Sequence, residues 1–101
     1  MDTDALITHA RTRFDHAAAR RTLRERYQAR LVFGYRGGMF RATPDMITFL
    51  DLYSHDTIVV EDLYQNPVEV DAAELGSIMR ERWQEQMTAW LIEHQALNQQ
   101  R

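Results

Sequence analysis

The spacing of the apolar residues changes at Leu31, and that change constrains the fold more than any other feature of the chain. Before it, residues 3–30 contain no Gly or Pro and are rich in Ala and Arg, with Leu and Glu among the rest, all good helix formers. Leu6, Ala10, Phe14, Ala17 or Ala18, Leu23 and Tyr27 recur at helical spacing, which predicts one helix over residues 3–30 with a thin apolar stripe. A helix so sparsely apolar packs on one side only, or protrudes. From Leu31 the period becomes two. Residues 31–36 and 39–43 flank Gly37-Gly38, a pair that supplies the positive φ angles of a two-residue hairpin turn. Such a hairpin over residues 31–43 pairs Arg36 with Met39, Tyr35 with Phe40 and Phe33 with Ala42. It places Leu31, Phe33, Tyr35, Phe40 and Ala42 on a core face, with Arg36, Arg41 and Thr43 opposite.

Thr43-Pro44-Asp45 is a helix start, with Thr43 as N-cap and Pro44 at the first helical position, where its missing N–H costs nothing. The spacing of Met46, Phe49, Leu50 and Tyr53 predicts a helix over residues 44–55 that stops near Ser54-His55-Asp56. Thr57-Ile58-Val59-Val60-Glu61 is the most β-branched run and reads as a strand, joined by a turn at Leu63–Pro67 to Val68-Glu69-Val70. The register of this second hairpin, residues 57–70, stays open, because one alignment sets Asp62 against Glu69. Asp71 and Glu74 form an Asp-led capping box. Beyond them Leu75, Met79, Trp83, Met87, Trp90 or Leu91, His94 and Leu97 step by three or four, predicting a helix over residues 72–95. The order is α-β-β-α-β-β-α, without repeats or linkers. These elements predict a single α+β domain over residues 1–101: a small antiparallel four-stranded sheet of two hairpins, long terminal helices and a short middle one.

Composition narrows the chemistry. With 101 residues, 45% hydrophobic and 27% charged, there is room for one cooperative core and not for two. All 12 cationic side chains are arginine and cysteine is absent, which excludes disulfide scaffolds, cysteine-ligated metals, thiol nucleophiles and lysine Schiff bases. No apolar run approaches the roughly 20 residues of a membrane span, and the Met-Asp-Thr-Asp opening lacks a basic leader. The expectation is a cytoplasmic protein, or one released from the host cytoplasm in a particle, with no membrane partner.

The net charge of −3 hides a separation. Residues 1–41 hold nine arginines against four acids, and residues 42–101 hold three against eleven, giving +5 and −8. A split of this kind implies opposite faces or a surface through which copies pair. Arg13, Arg20 and Arg24 share one helix face, and Arg21 adds to the same run, so several guanidinium groups can meet an acidic protein or a phosphate backbone together. A merely solvated face reads equally well. The acids Asp56, Glu61, Asp62, Glu69, Asp71 and Glu74 lack the ladder and glycine of a calcium loop, so a receiving electrostatic patch is expected rather than a metal. The four histidines make no ligand signature; Asp51 and His55, four apart, suit a hydrogen-bonded pair without a nucleophile beside it. Neither catalytic residues, cofactor nor metal is therefore assigned. The stripe of the last helix outruns a small sheet, which makes Trp90, Leu91 and Leu97 candidates for an intermolecular contact. Gly34, Gly37 and Gly38 are read as turn chemistry, not as a phosphate loop.

The Tyr-x-Gly-Gly-Met-Phe segment (Tyr35 to Phe40), the Leu-Tyr-x-Asn-Pro-Val segment (Leu63 to Val68) and the Trp-containing last helix resemble small virion or assembly proteins of large contractile-tailed bacteriophages. The resemblance runs from about Arg13 onward. It implies a structural or assembly role, as a homo-oligomer or within a larger assembly, and carries no catalytic residues. The expected function is a non-enzymatic interaction module that uses Arg13, Arg20, Arg21, Arg24, Trp90, Leu91 and Leu97. A small nucleic-acid-binding regulator is the alternative.

Overall fold

The computed structural model describes residues 3–99, so the Met1-Asp2 opening and the Gln100-Arg101 tail lie outside the described residues. The elements are α1 (Thr3–Ala29), β1 (Val32–Tyr35), β2 (Gly38–Arg41), α2 (Pro44–Leu52), β3 (Thr57–Glu61), β4 (Pro67–Asp71) and α3 (Ala72–Gln99). The predicted order is found, while two helix ends move. α2 stops at Leu52, where the Tyr53 N–H turns back to the Leu50 carbonyl, and α3 runs on to Gln99 rather than residue 95.

The single four-stranded sheet is not formed; the strands make two separate antiparallel pairs, β1 with β2 and β3 with β4. The hairpins do touch at Met39. Leu63 N–H donates to the Met39 carbonyl at 2.8 Å, but the Met39 N–H goes to the Asp62 carboxylate at 3.0 Å. No further backbone bond joins the two edges, so a side chain stands where a continuing strand would have been.

The first turn also differs from the expectation. Observed pairs are Phe33 with Phe40 and Tyr35 with Gly38, so the two turn residues are Arg36 and Gly37. Both hold positive φ, 46° and 83°. Gly38 is needed for another reason: a Cβ there would come within 2.7 Å of the Val68 side chain. The slip is two residues, an even number, and leaves every side chain on its expected face. Leu31, Phe33, Tyr35, Phe40 and Ala42 are all buried. In the second hairpin Val59 faces Glu69 and Glu61 faces Pro67, so Asp62 does not oppose Glu69.

Leu50, Val60, Val68, Val70, Leu75 and Met79 complete the core, with Trp83 and Met87 half-buried against its edge. The Thr43 cap forms as expected, its Oγ1 accepting from Met46 N–H at 3.2 Å; of the Asp71/Glu74 box one half forms, Asp71 Oδ1 accepting from Glu74 N–H at 3.1 Å, while the Glu74 carboxylate turns toward Arg36. From this head α1 and α3 run side by side as an arm. The molecule measures 66 × 25 × 19 Å, and its radius of gyration is 19.4 Å. A compact chain of this length would have about 13 Å.

Candidate partner-binding surface

Two junctions hold the arm, one between its helices and one at the head. Glu93 of α3 accepts from the Tyr27 hydroxyl, and from Arg26 at 3.3 Å. The hydrogen bond to the Glu93 carboxylate, with burial adding to it, raises the Tyr27 pKa above its ordinary value. Nearer the head, Arg82 donates to the Arg30 carbonyl at 3.2 Å, beyond the C-terminal end of α1, and lies over the Phe33 ring. Farther out, Ala19 and Leu23 share a groove with Ala96 and Leu97, so the described end of α3 comes level with Ala19. Residues 3–15 of α1 lie beyond that point and are exposed throughout. Leu6, Ile7 and Phe14 there are 52%, 50% and 71% exposed.

Arg13, Arg20, Arg21 and Arg24 all lie exposed on α1, and among the described residues none makes an ion pair. Arg26, of the same run, is spent on Glu93. The three candidates on α3 separate. Leu91 is exposed; Trp90 is half-buried and, with Met87, Leu91 and His94, lines an apolar hollow of about 380 Å³. Leu97 is half-buried in the groove against Leu23, so part of its surface serves the arm itself.

Asp51 and His55 do not pair. α2 ends before His55, and Asp51 instead meets Arg80 of α3 at 2.9 Å. Among the described residues no three His, Asp or Glu side chains are placed to hold a metal ion. Nor is any described helix long and apolar enough to cross a membrane. The acidic set divides as well: Glu74 lies 3.9 Å from Arg36, while Asp62 turns inward.

Asp62, expected in the acidic surface patch, instead organises the head from within. It is 7% exposed and its carboxylate accepts from the backbone N–H of Met39, Tyr64 and Asn66 at 2.9–3.0 Å. Those bonds, led by Asn66 and Met39, hold its carboxyl below the usual carboxylate range. The available signal was local: an aspartate opening a five-residue Leu-Tyr-Gln-Asn-Pro turn favours bonding its own backbone two residues on. Glu93 had no comparable signal. No protein-family model, curated protein or solved structure was found to match this chain.

Proposed function

We propose that the protein is a non-enzymatic protein–protein interaction module that self-associates, or docks into a larger assembly, through its projecting arm. The observation that carries this reading is the exposure of Leu6, Ile7 and Phe14 on a stretch of α1 that has no neighbouring element among the described residues. An isolated helix of about 13 residues is marginal in water, so this stretch gains order when a groove takes its apolar stripe. Unpaired Arg13, Arg20, Arg21 and Arg24 prefer an acidic rim around that groove, and the 42–101 portion of the chain offers one on a second copy. Trp90 and Leu91 add a second contact on α3, with Leu97 contributing its uncovered part. The resemblance to contractile-tailed phage components supports an assembly role in the host cytoplasm or the virion.

Size-exclusion chromatography with light scattering, at low and high salt, tests the self-association form. A population of oligomers that shrinks with salt, and shrinks further in Phe14→Ser, is expected. A monomer at every salt and concentration would sink it. The same unpaired arginines favour one other reading, contact with nucleic-acid phosphates, for which duplex affinity must fall steeply as salt rises.

A further inference from the structure

The bonding pattern of the second hairpin shows which backbone groups of β3 remain unused. Asp62 N–H donates to the Asn66 carbonyl and Ala72 N–H to the Asp56 carbonyl, both in register with the β3–β4 ladder. Antiparallel pairs alternate, so Ile58 and Val60 spend their backbone groups on β4, whereas those of Thr57, Val59 and Glu61 point outward. Pro67 opposite Glu61 agrees, since a residue without an N–H belongs at an outward position. Among the described residues nothing bonds the outward N–H and C=O groups of Thr57, Val59 and Glu61, and Val59 is 66% exposed. Beside Glu61 the hairpins diverge, leaving an open groove of about 220 Å³ bordered by Arg41 and Thr43.

The two edges of this hairpin are not alike. On β4 the outward residues are Pro67, Glu69 and Asp71, so an approaching copy of β4 would meet a missing donor and set Glu69 against Glu69. On β3 the same operation matches. Centred on Val59, an antiparallel copy sets Val59 against Val59 and Thr57 against Glu61, with no like charges opposed. All three outward positions form hydrogen-bonded pairs, about six backbone bonds in all. Ile58 then lies opposite Val60, and the apolar faces stay on one side of the sheet.

We infer that β3 is a self-pairing edge through which a second copy of this chain adds strand to strand about Val59, making a four-stranded sheet β4-β3-β3-β4 across two molecules. This surface is separate from the arm and does not depend on it. Its salt response is opposite in sign. The pairing brings together Glu61, Glu69 and Asp71 of two acidic heads, so salt strengthens it, whereas salt weakens docking through arginines.

The test is hydrogen exchange of the whole chain at low and high protein concentration in high salt, beside analytical ultracentrifugation. The amides of Thr57, Val59 and Glu61 should become protected as concentration rises, and that of Glu69 should not. Val59→Pro deletes the central donor at a position whose N–H has no partner within the molecule. It should raise the dimer dissociation constant about tenfold or more. Val59→Glu, which opposes like charges at the centre, should act in the same direction, and Val59→Thr should leave the dimer intact. The inference is overturned if the three amides stay unprotected in a dimeric sample, if no dimer forms, or if both disruptive variants dimerise normally. A dimer lost on Phe14→Ser but indifferent to Val59→Glu would overturn this edge and leave the arm reading standing.

Discussion

Head and arm are built from the same apolar residue types, used differently. In the head, apolar side chains alternate along short strands and close a core in which Leu31, Ala42, Leu50, Val70, Leu75 and Met79 are essentially inaccessible, while Phe49, Leu52, Tyr53, Val59, Leu63 and Tyr64 remain on its surface. In the arm Leu6, Ile7, Phe14, Leu91 and Ile92 recur at helical spacing and stay at least half exposed. Two hairpins and a nine-residue helix cover the base of α3 and no more. The head therefore has a closed core of its own, whereas the outer part of the arm has none.

The sharpest way to break that contrast is to hollow out the head. Leu75→Ala or Met79→Ala should cost about 2–5 kcal/mol in urea unfolding, the range for emptying a close-packed site. Gly38→Ala should cost about 1–3 kcal/mol, because its Cβ meets Val68 at 2.7 Å and Phe40 at 3.0 Å. Gly34→Ala, with ordinary contacts only, should be close to neutral in the same measurement. Thr43→Ala removes the α2 cap and should cost about 1 kcal/mol. At the other extreme, Phe14→Ser should change stability by less than about 0.5 kcal/mol while weakening association.

Titration separates the regions too. Asp62 is held below its unfolded value, so it contributes stability that is present above about pH 4 and is lost as pH falls through its folded value. Acid unfolding of the head, followed by near-UV circular dichroism, should lose that component in Asp62→Asn. Tyr27 shifts the other way. Its contribution is present below about pH 10 and is lost as pH rises through its elevated value, loosening α1 from Glu93. Tyr27→Phe should remove its share of the alkaline ultraviolet step and the accompanying loosening of α1, leaving the share of Tyr35, whose burial in the head also raises its pKa.

Much of the head was legible in the sequence because its signals are local. Period two, the Thr43-Pro44 start and the Asp71/Glu74 cap each depend on residues a few positions apart. The side of the first hairpin that is buried was legible although the turn lies one position earlier, at Arg36-Gly37, because each cross-strand partner then shifts by two, an even step. The close approach that requires glycine at position 38 comes from Val68, thirty positions away and absent from any local pattern. The divided sheet was hidden for the same reason: Asp62 reaches Met39 across 23 positions. At the candidate surface, the thin stripe and the unpaired arginines of α1 were readable from spacing and charge. Leu97 was harder, because whether it faces a partner or Leu23 depends on where α1 lies along α3.

Arg82 has a mechanical consequence. Its guanidinium ties the Arg30 carbonyl, just past α1, to the Phe33 ring, and so lies where the arm leaves the head. From there to Thr3 the helix is about 40 Å long, at about 1.5 Å per residue, and a tilt of about 10° would carry its tip about 7 Å sideways. A small difference in angle where α1 leaves the head is thus magnified into a shift of several ångströms at its far end.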